Sequence, residues 1–144
     1  MKRNIFLTVL LIIFVCTAAF GQTAVRVPDF FVGVWWADLS DEVGIPGVQF
    51  LVSVEIKRDG VWISSFKVVG YTQQGREFLE ELGLSDGMEE IAETGVISKA
   101  SSTEIEFSRD GESDVHDKFI IEGNGIIDMF GNRWSKEQPR PLRG

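Results

Sequence analysis

Cysteine is almost absent from this chain of 144 residues: one occurs, Cys16, beside one histidine, His116, one tyrosine and four prolines. A single thiol cannot make an intrachain disulfide, so the fold must rest on its core. One histidine also rules out metal sites built on several imidazoles, and the zinc-protease pattern His-Glu-x-x-His does not occur. Basic residues are scarce, 14 Lys and Arg against 22 Asp and Glu, for a formal charge of −8. Clustered cations are what nucleic acid and anionic lipid select, so neither is an expected partner. The chain also lacks an apolar run long enough to cross a bilayer: the stretch Ile5 to Val15 is 11 residues, where a spanning helix needs about 20.

That short run is part of the opening "MKRNIFLTVLLIIFVCTAAFGQT". Lys2 and Arg3, the apolar stretch and then the small residues Ala19 and Gly21 follow the order of a secretory signal peptide, with cleavage expected before Gln22. A lipid-bearing Cys16 is the rival reading, but Val15 stands where a lipoprotein signal carries a small residue. Cleavage after Gly21 removes the only cysteine and leaves 123 residues, enough for one domain with a real core. Lys2 and Arg3 leave with the leader, so the charge becomes −10, a balance that favours solubility. The domain is expected over 22–136, with 137–144 a polar, fraying tail.

From Val48 the chain alternates: Val48, Phe50, Val52, Val54 and Ile56 share one phase, polar side chains the other. A period of two in β-branched residues means a half-buried strand. Arg58-Asp59-Gly60 then leads into "VWISSFKVVGY". A three-residue loop with Gly60 left-handed pairs Ile56 with Trp62, Val54 with Ser64, Val52 with Phe66 and Phe50 with Val68, keeping one face apolar. A two-residue loop would bury Lys67 instead. "IEFSRDGESDV" echoes "VEIKRDGVWIS" 51 residues later, and the same loop at Arg109-Asp110-Gly111 sets Ile105 against Val115, with Phe107 and Phe119 in phase. Phe78, Leu79 and Leu82 at helical spacing, closed by Gly83, predict one short helix from Gln74 to Leu82. Eight strands are expected near 32–38, 48–57, 61–70, 92–99, 103–108, 114–122, 125–130 and 132–135. Short strands with tight turns indicate an all-β antiparallel sandwich or barrel.

Gly33-Val34-Trp35 in the first strand, led in by Val27-Pro28-Asp29-Phe30-Phe31, resembles the first-strand signature of lipocalins and their calycin relatives, most nearly the small bacterial lipocalin-like domains. That likeness implies an eight-stranded up-and-down barrel whose floor is closed by Trp35, with a late arginine, here Arg133 in "GNRW", packed on the indole. It also implies an interior that takes a small apolar or amphipathic ligand. The inward candidates are Phe50, Val52, Trp62, Ser64, Phe66, Phe107 and Phe119. Trp35 and Trp36 are neighbours in a strand and must face opposite ways, so Trp35 is read as the plug.

The remaining polar residues invite plainer readings. His116, in "SDVHDKF", is set outward opposite Glu104 by the expected register and reads as a surface histidine. Asp110, Glu112, Asp114 and Asp117 lack the ligand spacing of a helix-flanked calcium loop, and the Asp-Gly is explained by the turn. Glu89, Glu90 and Glu93 read as a solvated face. Asp117 shares the phase of Phe119, so it either sits hydrated at the barrel mouth or points inward with a raised pKa. No metal, cofactor or catalytic set is expected. The chain therefore reads as a monomeric exported binding protein, periplasmic or secreted. The other reading is a barrel filled by its own side chains that acts through an envelope protein partner.

Overall fold

The computed structural model describes residues 24–143. The expected signal segment, with Cys16 and the cleavage site, lies outside the described residues. Eight strands run in sequence order, each antiparallel to the next: β1 (Gly33–Asp38), β2 (Val48–Ile56), β3 (Val61–Gly70), β4 (Glu89–Ala100), β5 (Glu104–Arg109), β6 (Asp117–Glu122), β7 (Gly125–Asp128) and β8 (Arg133–Trp134). Trp36 and Ser135 exchange backbone hydrogen bonds of 2.7 and 3.0 Å, which bring β8 back to β1 and nearly close the sheet into a barrel. Closure removes the exposed sheet edge that an open eight-stranded sheet would carry. No helix among the described residues is long and apolar enough to cross a membrane.

The β2–β3 hairpin has the register that the apolar pattern demands, with Ile56 opposite Trp62 and Val52 opposite Phe66. Gly60 has φ +87° and its N–H bonds the Lys57 carbonyl, so Arg58 to Gly60 form the three-residue loop. The β5–β6 pair differs from expectation. Ile105 lies opposite Phe119 rather than Val115, four residues along, and the connection runs over 110–116. The displacement is an even number, so Phe107 and Phe119 still share the inner face.

Among the described residues two α-helical segments punctuate the barrel, besides a 3-10 turn at Asp29–Phe31 ahead of β1. A four-residue turn, α1 (Ser40–Val43), follows β1 and was not evident from the sequence; Asp38 accepts from the backbone N–H of Ser40, and Gly44 ends it at φ +67°. The helix α2 (Gln73–Glu81) matches the expected one to within a residue at each end. Thr72 caps its start by accepting the Gly75 N–H at 3.0 Å. Its end is a Schellman motif, with Gly83 N–H bonding the Glu80 carbonyl and Leu84 N–H the Leu79 carbonyl.

The interior has two parts. Near the β2–β3 turn, Phe31, Trp35, Ile56, Ile97 and Ile105 are almost wholly buried. Trp35 plugs this end, its Nε1–H donating to the Phe31 carbonyl at 2.9 Å. Arg133 does not pack on it. Arg133 is on the outer face, largely exposed and paired with Glu122 at 2.8 Å, because it faces opposite to its buried neighbour Trp134. Lys136 takes the expected place: its Nζ lies 5.2 Å from the Trp35 ring centroid and donates to the Val32 carbonyl at 2.9 Å. At the other end α2 lays Leu79 on Val48 and Val68. Part of the tail touches the barrel: the buried Gln49 amide on the outer face of β2 donates to the Arg140 carbonyl and accepts from the Leu142 N–H.

Candidate ligand cavity

A half-open cavity of about 500 Å³ occupies the barrel end opposite the Trp35 plug, within the range typical of small-molecule sites. Of the seven side chains expected to line an interior site, Val52, Trp62, Ser64, Phe107 and Phe119 do so. Phe50 and Phe66 do not. They share the inward phase, but α2 lies over their end, and they stack on each other at 5.8 Å within the apolar cluster around Leu79.

The wall is a connected run of rings. Trp62 meets Phe107 edge to face at 5.5 Å, Phe107 meets Phe119 at 4.6 Å and Phe119 meets Trp134 at 5.1 Å. Trp62 is held by its indole N–H, which donates to both the Val96 and Ser108 carbonyls at 3.1 Å. Gly95 stands opposite it on β4, where any Cβ would strike the indole and the Ser108 backbone. A glycine is therefore what lets the largest ring lie flat along the wall. Fixed aromatic edges and faces give a cavity defined shape.

The polar lining is where sequence reasoning fell short. His116 is not on the outer surface: the longer β5–β6 connection brings its backbone N–H to the Phe107 carbonyl at 2.7 Å and its ring parallel to Trp62, 6.0 Å between centroids. Its Nε2 lies 2.7 Å from Glu93 Oε2. Glu93 is likewise not part of a solvated face. A bulge in β4 pairs Ser64 with Glu93 and Ser65 with Ile91, which turns Glu93 to the cavity and leaves Ile91 on the outside. Arg109 reaches Glu93 Oε1 at 3.4 Å and Glu112 at 2.9 Å.

Two aspartates complete the lining. Asp128 is buried and fully engaged, accepting from the N–H groups of Phe130 and Asn132 and from Trp134 Nε1, each at 2.9 Å. Those bonds build the β7–β8 turn and hold Trp134 in the wall. Asp117 has its pKa pushed up to about 6, chiefly by burial, with the neighbouring Asp128 carboxylate adding to the rise. One of its oxygens accepts from the Lys118 and Met129 N–H groups at 2.7 and 3.3 Å. Its inward phase was legible in the alternation with Phe119; the raised pKa follows from that position. Leu39, Glu42, Val54, Phe130 and Asn132 complete the rim and wall and were not singled out by the sequence.

Two other features do not compete with this site. A groove of about 580 Å³ runs outside the barrel along the β4–β5 turn, but its lining is mostly polar, Ser98, Lys99, Ser101 and Thr103 among others, with Val25 and Ala100 and no aromatic. Gly83-Leu84-Ser85-Asp86-Gly87 spells Gly-x-Ser-x-Gly, a pattern that sequence reasoning missed. Here it leaves a helix and enters a strand, the reverse of a nucleophile elbow, and Asp86 is occupied in accepting the Gly70 N–H. Among the described residues no group of three or more His, Cys, Asp or Glu is placed to hold a metal ion.

Fold and site together define a class: a nearly closed, eight-stranded antiparallel barrel, compatible in architecture with lipocalin-like barrels, with an aromatic-walled cavity at one end. Compared with protein-family models, curated proteins and solved structures, the chain matches none.

Proposed function

We propose that this chain is an exported, monomeric, lipocalin-like binding protein that holds a small amphipathic ligand in the barrel cavity and performs no chemistry on it. The observation that carries this reading is the cavity itself: about 500 Å³ of space bounded by Val52, Trp62, Phe107, Phe119 and Trp134, with polar groups confined to part of its lining. An eight-stranded barrel can fill its interior with its own side chains. This one packs the Trp35 end and leaves a half-open cavity beside α2 at the other, an arrangement suited to burying an apolar body while a polar group stays near water.

The test is uptake of an environment-sensitive apolar dye and a panel of small amphiphiles, followed by tryptophan fluorescence and native mass spectrometry. Saturable one-to-one binding is expected, and Ser64→Leu, which fills the cavity from β3, should weaken it at least about tenfold. A folded protein that takes up no member of the panel and carries no co-purified small molecule overturns the reading. A second reading, docking of a protein partner, is favoured by one feature: the β7–β8 turn exposes Met129 and Phe130 side by side at the cavity rim, with Phe130 72% exposed. The two readings separate at Met129→Ser, which removes an exposed apolar side chain that does not line the cavity: partner docking should weaken and dye uptake should not.

A further inference from the structure

We infer that the ligand is an amphipathic cation: a protonated or quaternary amine carried on a small aliphatic or aromatic body. The inference rests on the cavity being a ligand site and names the charge of what enters it. Its ground is the chemistry of the whole lining. The walls present aromatic rings, and the ionisable side chains that line the cavity are Glu42, Glu93, Asp117 and Asp128, all acidic, and one histidine, His116, whose Nε2 is held by Glu93. No Lys or Arg lines it.

The carboxylates are not equivalent, and their partners decide which can receive a ligand. Asp128 is saturated by three donors and serves the turn. Glu93 is engaged by His116 on one oxygen and Arg109 on the other. Asp117 keeps one oxygen that accepts no hydrogen bond from the described residues, and at pH 7.5 it carries its charge. Glu42, exposed on α1 at the rim, stands among the same lining residues without an ion pair to any described residue. An anionic head group would find no lysine or arginine in the lining and would face unneutralised carboxylates. A cation finds a carboxylate to pair with in a cavity whose inner wall, Trp62, Phe107 and Trp134, is aromatic and apolar. The acidic rim also raises the local concentration of cations at the entrance.

The experiment uses two matched sets in which only the head group changes: 2-phenylethylamine, 2-phenylethanol and phenylacetate; and octylamine, octanol and octanoate. Binding to the purified protein at pH 7.5 is measured by tryptophan fluorescence and calorimetry. In each set the amine should bind at least about tenfold more tightly than the alcohol, and the carboxylate most weakly. Asp117→Asn should weaken the amine about tenfold and leave the alcohol unchanged. Alcohol or carboxylate binding as tightly as the amine overturns the cation and leaves the binding-protein reading standing. No binding by any member of either set to the folded protein overturns both. Loss of alcohol and amine together in Asp117→Asn assigns Asp117 a role in shaping the cavity and removes it as the cation's partner.

Discussion

The β2–β3 and β5–β6 connections both pass through Arg-Asp-Gly, one at each end of the barrel, and they behave as opposites. At the plugged end, Gly60 is buried; residues 24–27 cross over it, with Val27 N–H bonding the Arg58 carbonyl and Ile97 N–H bonding the Gly60 carbonyl. At the open end, 110–115 are exposed, and the same three residues turn sideways to β4: Asp110 bonds Thr94, and Arg109 reaches Glu93 and Glu112. The flanking residues make the difference. Val61-Trp62-Ile63 re-enter a strand at once, whereas Glu112-Ser113-Asp114 cannot occupy an inner face, so pairing resumes only at Asp117. A turn motif proposes a hairpin, but burial of the residues after the turn sets the register. The slack taken up at the open end is what carries His116 and Asp117 into the cavity.

The largest effect should come from breaking this contrast with the same substitution at both glycines. A Cβ at Gly60 would collide with the Val25 backbone, and the residue is held at φ +87°. Gly60→Ala should therefore destabilise by about 2–4 kcal/mol, strain and overlap together. Gly111 has φ +74° and open space around it, so Gly111→Ala should lose about 1 kcal/mol from backbone strain alone. Urea unfolding monitored by tryptophan fluorescence measures both. Equal losses would mean that the covered turn is no more constrained than the exposed one.

How much of this was legible in the sequence follows from the same contrast. Strand phase was readable wherever apolar residues alternate, which is why the β2–β3 register and the identity of the inner face could be read directly, whereas Trp35 as a plug came only from the Gly-x-Trp resemblance. Features set by an interruption of that alternation were not. The bulge that turns Glu93 inward leaves no apolar signature in "EEIAETG", and the length of the 110–116 connection is invisible in a run of polar residues. Phe50 and Phe66 share the inward phase but lie outside the cavity lining, because phase tells which side a residue faces and not how far along the barrel a helix covers it. The exchange of Arg133 for Lys136 has the same character: β8 is two residues long, so one step of register decides which cation faces the plug.

A medium effect, of opposite sign, is expected at the open end. Asp117 has a folded pKa of about 6, raised above the ordinary carboxylate value by burial. A raised acid binds its proton more tightly in the folded state, so the wild-type chain gains stability as pH falls through 6 and loses that gain above it. Asp117→Asn keeps the acceptor for the Lys118 and Met129 N–H groups and removes the charge. It should stabilise the protein by about 1.5 kcal/mol at pH 7.5, the shift being discounted for partial exposure, and the advantage should vanish below about pH 4. Thermal unfolding at pH 7.5 and pH 4 reads both limits. A variant more stable and poorer at binding would show the site held at some expense to the fold. A loss of stability at pH 7.5 would mean that the Asp117 carboxylate is an anchor for the β7–β8 turn rather than a strained charge.

The smallest effect tests the plugged end. Lys136 donates to the Val32 carbonyl and lies over the Trp35 ring, whereas Arg133 makes one exposed ion pair with Glu122. Lys136→Met removes both the hydrogen bond and the cation–π contact and should destabilise by about 1 kcal/mol. Arg133→Met should stay within about 0.5 kcal/mol of wild type, since an exposed pair is screened by solvent. The indole environment gives a second reading of the same pair, because Trp35 is buried and, of these two cations, Lys136 is the one over its ring: its fluorescence should shift in the first variant and not in the second. A larger loss at Arg133 would place the closing cation on β8 and make the lysine incidental.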